Sequence, residues 1–441
     1  MNITPASTRS LRSSRRVGVR RDGISPPYGG ADAAASPSRR IDAGRRIRGP
    51  LRESTVTSAA RPRLAPLYLA GFTTAFGAHG IAAALGAETE DIGWTLLAFG
   101  LTLALYDLAE VLLKPFFGAL SDRIGVRPVI IGGLLAFSAF SVVGAVVPGM
   151  LGLVIGRFGQ GAAASAFSPS SSAAVARLTD DSTRGRYFGR YGSWKSLGYA
   201  LGPMLGAVLV VWGGMPALFW ALAALGLGAA AWVAFAVPAV PVLPRKRVTL
   251  LDLGRELVTP GFLVPTLVLA ATTGALAVAV GFLPLLGRQL GIGIVGSMAI
   301  VTVLAVVSSI VQPLVGSWHD RGRLSVRAGA VGGLALIALG IALTAAAPHP
   351  VALVATAALV GAGVGMATPV AFAHLAATTP PERMGRTMGS AELGRELGDA
   401  GGPLVAGAVA TASVPGIGLG VVAALTAGAG VLALLGLRRT S

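Results

Sequence analysis

The sequence predicts an all-helical integral membrane protein whose twelve spans form two six-helix bundles. Three observations predict it. Its apolar residues come in blocks about twenty long, the length a helix needs to cross roughly 30 Å of hydrocarbon. Only 12% of its 441 residues are charged, about half of what a soluble surface carries, and the mean hydropathy is +0.72. A nineteen-residue segment also occurs twice, 200 residues apart. Barrel strands would show alternation over about ten residues, and the chain has none.

The repeat sets the organisation. GRYFGRYGSWKSLGYALGP (185–203) and GRTMGSAELGRELGDAGGP (385–403) agree at eight of nineteen positions, where composition alone gives about two. At nearly the same offset, Pro115, Gly118, Asp122 and Arg123 recur as Pro313, Gly316, Asp320 and Arg321. Gly161, Ala162 and Pro169 recur as Gly361, Ala362 and Pro369. The expected domains are therefore a six-helix half at 64–237, a linker at 238–260 and a second half at 261–437. Parallel halves related by an axis along the membrane normal, with a site between them near the midplane, are a transporter design.

Taken in order, residues 1–63 hold fourteen Arg against Asp22, Asp32, Asp42 and Glu53. This tail is rich in Ser, Pro and Gly without apolar periodicity and reads as disordered. It has no apolar core before a small-residue cleavage site, so it does not read as a signal peptide. It fits a cytoplasmic arm, or a chain whose true start lies downstream. Spans follow near 64–86, 92–117, 128–147, 151–177, 187–211 and 216–237. The second set lies near 261–285, 293–316, 328–347, 351–376, 387–410 and 418–437. Alternate connections are basic: GALSDRIGVRP, TDDSTRGR, PRKRVTLLDLGREL, GSWHDRGRLSVR and the end at 438–441. The positive-inside rule then places these loops and both termini in the cytoplasm.

Several chemistries are excluded. There is no cysteine, hence no disulfide, thiolate catalysis or Cys-based zinc site. Four scattered histidines, His79, His319, His349 and His374, suggest no metal cluster. Neither a P-loop, nor HExxH, nor a Ser/His/Asp constellation is visible, so neither an enzyme, nor a cofactor, nor direct ATP coupling is expected.

On these motifs the sequence resembles the major facilitator superfamily over residues 64–437. Gly118, Asp122, Arg123, Gly125 and Arg127 match the signature loop between helices 2 and 3, with Gly316, Asp320 and Arg321 as its weaker second copy. Arg157, Gln160 and Gly161 match the helix 4 motif. Gly198, Gly202, Pro203 and Gly206 resemble the helix 5 motif associated with drug–proton antiporters, although Ala207 stands where a second glycine is usual. Helix 1 lacks the embedded acid seen in many multidrug antiporters. The resemblance implies the superfamily's two-bundle fold with a pseudo-twofold axis along the membrane normal, helix 2 beside helix 11, and helix 5 beside helix 8.

The physics of these residues can be read directly. Gly118 allows close helix approach, as do Gly198, Gly202 and Gly206 with their second-half counterparts Gly398, Gly402 and Pro403. Asp122 and Arg123 suit a latch between halves, because Asp contributes little to topology yet occurs in both copies.

Charges inside spans are the candidate site. Asp107, Glu110 and Lys114 share one helix face, and span 11 carries Glu392, Arg395, Glu396 and Asp399 within eight residues. Each lipid-facing charge at mid-membrane costs about 2.5–3.5 kcal/mol, so this face must point inward. Arg157 is a further candidate because its counterpart in the second half is Ala357, and Lys195 and His79 join it. Three acids against one Arg cannot be neutralised within span 11, so one of Asp107, Glu396 or Asp399 is expected to titrate during the cycle, with Glu110 and Glu392 in the same network. The expectation is a monomeric secondary transporter of a small molecule in a bacterial inner membrane, using protons and no nucleic-acid partner. Proton-coupled efflux leads; proton-linked uptake, or a membrane sensor without transport, are the alternatives.

Overall fold

The computed structural model describes residues 64–92, 96–242 and 259–437. The expected arm at 1–63, most of the linker at 238–260 and the end at 438–441 lie outside these residues. In lipid every backbone polar group must be satisfied within its own segment, and the described chain is helical almost throughout.

The first half consists of α1 (Ala65–Ile92), α2 (Leu96–Ile124), α3 (Val126–Val146) and α4 (Gly149–Arg177), followed by a long stretch, Arg184–Ala236, that is broken at Gly213 and Gly214. Gly214 has φ 67, a left-handed value that glycine adopts at no steric cost, so this stretch is two helices, α5 (184–212) and α6 (215–236). The second half comprises α7 (Pro260–Gln289), α8 (Ile294–Asp320), α9 (Val326–Ala346), α10 (Pro350–Thr378), a 3₁₀ turn (Pro381–Arg383), α11 (Met384–Ala412) and α12 (Pro415–Gly436).

Two of the differences from the expected boundaries bear on the site. The predicted spans ended near 117 and 316, where the apolar runs stop, but α2 and α8 continue to Ile124 and Asp320. Asp122, Arg123 and Asp320 therefore ride on helix ends rather than in loops. The limit of the hydrocarbon ends an apolar pattern, whereas backbone hydrogen bonding continues into the polar interface.

Packing repeats between halves. In the first, α1 lies on α5 and α4 on both α2 and α3; in the second, α7 lies on α11 and α10 on both α8 and α9. Gly226 of α6 faces Ser138 of α3, and α12 correspondingly packs on α9. Lipid tails are as apolar as Leu, so close van der Waals contact between small residues, rather than hydrophobic burial, drives these crossings. Gly161 faces the Tyr106 carbonyl and its repeat partner Gly361 faces the Leu304 carbonyl, each too near for a Cβ. The halves meet through α2 with α11 and α5 with α8, and through α4 with α11 and α5 with α10.

The distribution of polarity is that of a membrane protein. Trp212, Val211, Phe235 and Leu435 are exposed, while Lys114 and Glu392 are fully buried. Among the described residues seven helices are long and apolar enough to cross a membrane. α2 and α11 are not among them, and these two helices carry most of the buried charges.

Gly161→Val and Gly361→Val should each destabilise the detergent-solubilised protein by about 1–3 kcal/mol, the cost of overpacking a close crossing. Gly132→Ala should not, because nothing lies within 4 Å of the added carbon. Melting followed by size-exclusion fluorescence measures both.

Candidate functional site

The end of the bundle that carries the α2–α3, α4–α5, α8–α9 and α10–α11 connections is closed by two copies of one contact. Asp122, in the last turn of α2, accepts the backbone N–H of Gly385 at Oδ1 (2.7 Å) and that of Arg386 at Oδ2 (2.9 Å). Asp320, ending α8, accepts the N–H of Gly185 (2.7 Å) and of Arg186 (2.8 Å) in the same way. These donors belong to the first turns of α11 and α5, where helical N–H groups have no partner of their own and the helix dipole favours an anion. The glycines let the backbones approach this closely. A Cβ on Gly118 would stand 2.5 Å from the Gly385 carbonyl oxygen, and one on Gly185 2.7 Å from that of Gly316. The shared Gly-Arg that opens the nineteen-residue repeat thus has a physical reason: each copy docks on the carboxylate of the other half.

The arginines expected in this contact are elsewhere. Arg123 and Arg321 are exposed. Arg127 donates instead to the Ala234 carbonyl near the end of α6, and Gly125, with φ 97, makes the turn between α2 and α3. The guanidinium at the Asp122 carboxylate belongs to Arg177, which donates from Nη2 at 3.0 Å and also to the Pro381 carbonyl at 2.8 Å. Sequence reasoning missed Arg177; its counterpart Ala377 was the available signal.

Above this closed end lies a cavity of about 120 Å³, room for several waters. Asp107 and Glu110 of α2, Arg157 of α4, Lys195 and Tyr199 of α5, Glu396 and Asp399 of α11, and His79 of α1 all line it. The structure thus brings the predicted candidates from both halves together. Glu392 and Arg395 lie just below.

Two ion-pair groups form the floor. Lys114 bridges Glu110 of its own helix (2.7 Å) and Glu396 of α11 (2.5 Å). Glu392 is completely buried and takes Lys195 at 3.0 Å, Arg395 at 3.3 Å and the Ser172 hydroxyl at 3.1 Å. Arg395 also donates to Thr273 at 3.3 Å. The carboxylate partner of Arg395 is Glu392, while Lys114 holds Glu110. Span 11 could not neutralise its own acids, and the missing cations come from α2 and α5 of the other half.

Four of the candidates remain outside these pairs. Arg157 is buried with its guanidinium 4.3 Å from the Tyr106 ring centroid, a cation–π contact, and donates to the Gly77 carbonyl at 3.4 Å. Asp107 is exposed at the cavity. Asp399 has a buried Oδ1 with no hydrogen-bond partner. His79 donates from Nδ1 to the Ala75 carbonyl of its own helix (3.1 Å), and its ring lies tilted against Tyr199 with centroids 4.2 Å apart. Tyr199, missed from the sequence, is the repeat counterpart of Asp399.

Pseudo-symmetry also relates the two seams. Lys114 and Glu396 of the α2–α11 seam correspond in the repeat to Gln312 and Ser196 of the α5–α8 seam. Gln312 donates to Ser196 at 2.9 Å, the neutral equivalent of the Lys114–Glu396 pair. Ser193 and Ser309 exchange hydroxyl-to-carbonyl hydrogen bonds beside it, at 2.6 and 3.2 Å. The same crossing is charged on one side and uncharged on the other.

The helix 5 glycines pack on α1: Gly198 against the Phe72 carbonyl, Gly202 and Gly206 against Gly80. Gly398 and Gly402 pack on α7 at Ala270 and Gly274. Pro203 and Pro403 sit inside these helices, where neighbouring helices tolerate the freed carbonyls.

Glu392→Gln should destabilise the protein by about 3–5 kcal/mol, because it leaves Lys195 and Arg395 buried without a counter-charge. Adding Lys195→Met should cost less than the sum of the two single changes, as read from a double-mutant cycle of melting temperatures. Asp122→Asn should shift the closed-to-open ratio of this end about tenfold, the worth of hydrogen bonds to a charged group. Because the chain has no cysteine, a spin-label pair at 123 and 382 reports this as a longer distance population.

The comparisons with known proteins agree with this geometry. The family model described as Major Facilitator Superfamily matches residues 67–403 and 322–441. The inner membrane transport protein YajR of Escherichia coli K12 is 33% identical over 137 residues, which cover 30% of this chain and 30% of that protein. The multidrug resistance protein MdtH of Edwardsiella ictaluri is 33% identical over 150 residues, covering 34% of this chain and 37% of MdtH. These matches therefore span only about a third of the relatives' length. Among solved structures, the transporter FucP in its outward conformation superposes with a TM-score of 0.70 at 16% identity, covering 85% of this chain and 98% of FucP. The human organic anion transporter MFSD10 gives 0.67 at 20% identity, covering 84% and 97%; at such identities the likeness is one of fold. From the match along its helical region and the shared two-bundle architecture, the chain is a multi-pass membrane protein that belongs to the Major Facilitator Superfamily.

Proposed function

We propose that the protein is a proton-coupled exporter of a small molecule from a bacterial cytoplasm, working as a monomer by alternating access between the halves at 64–237 and 261–437. The observation that carries this reading is the central cavity, lined from both halves by ionisable side chains and closed at its basic end by the paired carboxylate contacts. With that end placed in the cytoplasm by the positive-inside rule, the conformation described is the one shut to the cytoplasm. Opening it requires Asp122 and Asp320 to release the helices of the opposite half. It also requires Glu396 and Glu392 to part from Lys114 and Lys195.

The coupling proton fits best on Asp399. It lines the cavity, and its buried Oδ1 has no hydrogen-bond partner among the described residues, one turn from Glu396 on the same helix. Asp107 is the second such acid. Glu392 is poorly placed for the task, since three donors already hold it. Support for export comes from the helix 5 glycines on α1 and from MdtH, whose name says multidrug resistance. Arg157, Lys195 and Arg395 leave anionic substrates compatible with the same cavity.

The test uses inside-out vesicles with an acidic lumen, a pH-sensitive dye, and a panel of cationic, anionic and neutral compounds. A compound that dissipates the gradient only in the presence of the protein establishes export against protons and names the substrate class. Accumulation with protons in right-side-out vesicles would make the direction uptake. Asp399→Asn should flatten the pH dependence of transport, while Glu110→Gln should retain it. A pH dependence preserved in Asp107→Asn, Glu396→Gln and Asp399→Asn alike would overturn the assignment of the proton.

A further inference from the structure

A second cavity, of about 450 Å³, opens at the basic end and is separate from the central one. Arg177 at the end of α4, Asp181 of the α4–α5 connection and Arg184 at the start of α5 line it from the first half; Ala377, Pro381 and Met384 line it from the second. It therefore bridges the two halves where the latch closes.

Its donors are in excess. Arg177 is only 4% exposed at its side chain and spends Nη2 on Asp122 and Pro381. Its Nε and Nη1 are buried with no partner, and among the described residues it is the one arginine whose terminal nitrogen is left so. Arg184 pairs with Asp181 through Nη1 and reaches the Thr179 carbonyl through Nη2, while its Nε is likewise buried and unpartnered. A buried donor left unmade costs about 1–3 kcal/mol, more for a charged group, and two are on one guanidinium. Planar N–H forks of this kind match phosphate oxygens. The second-half wall, Ala376, Ala377, Thr379, Pro381 and Met384, carries no charge, so the charged groups of the cavity all stand on the first-half side. Asp181 is the one carboxylate in the lining, and it is 84% exposed at its side chain, free to swing away from an incoming anion.

We propose that this cavity binds a phosphate group, free or as a monoester, through Arg177 and Arg184, and that the bound anion holds the two halves together at this end. It would thereby favour the conformation in which Asp122 is latched. A soluble phosphate and the headgroup of an anionic lipid offer the same chemistry. The binding itself does not depend on the direction or coupling of transport, whereas the effect on conformation rests on the alternating-access reading.

The experiment uses the full chain in phosphatidylcholine nanodiscs, with inorganic phosphate added in one arm and phosphatidic acid included in the other. Melting temperature reports binding, and the 123/382 spin-label distance reports closure. A saturable rise in melting temperature with a larger closed population is expected in at least one arm, and the arm that responds names the source. Arg184→Gln should weaken the effect about tenfold. Asp181→Asn, an exposed change that leaves the fold intact, should strengthen it severalfold by removing the competing carboxylate. No saturable response in either arm, or a response equal in wild type, Arg184→Gln and Asp181→Asn, would overturn the proposal. Binding without closure would retain the site and refute its conformational role.

Discussion

A charge inside a membrane must find its counter-charge within the protein, and the rest of this structure follows from that constraint. α11 carries Glu392, Glu396 and Asp399 with only Arg395 of opposite sign. At an insertion cost of about 2.5–3.5 kcal/mol for each lipid-facing charge, the helix can lie only where other elements supply cations. They come from the other half, as Lys114 and Lys195. Neutralisation and contact between halves are therefore one requirement: the acids that make α11 a poor membrane helix are also what fastens it to α2 and α5.

The two seams answer the same geometry with different chemistry. At the basic end both use a carboxylate on a helix N-terminus, Asp122 on α11 and Asp320 on α5. About two helical turns further in along α2 and α8, the α2–α11 seam has Lys114 on Glu396, and the α5–α8 seam has Gln312 on Ser196. Protonation can change the first pair and leaves the second as it is. In the proposed cycle the proton then acts on one side of the molecule, while the serines and glutamine of the other side serve as a neutral crossing. Backbone contacts through Gly118, Gly185, Gly316 and Gly385 are common to both, so the halves can separate and reseat without repacking large side chains.

The sequence by itself determined a good deal. Block length gave the helices, because hydrocarbon thickness admits few other solutions. The repeat gave the two halves, since one pattern of glycines, Asp122/Asp320 and Gly-Arg recurs at nearly the same offset. Charges within spans gave the candidate site, because their cost in lipid leaves the interior as their only place.

Only the tertiary structure decided who pairs with whom. Arg123 was the natural partner for a latch by adjacency, yet Arg177, fifty-four residues on, takes the Asp122 carboxylate, because α4 brings its last turn to the end of α2. Lys195 and Arg395 occupy equivalent positions in the repeat and converge on the same Glu392, a convergence that linear spacing does not encode. Tyr199 enters the cavity only because α5 rotates the counterpart of Asp399 into it. Spacing along one helix fixes which residues share a face; which face meets which across a bundle is set by the close crossings of glycine and alanine, and those are a property of the assembled fold.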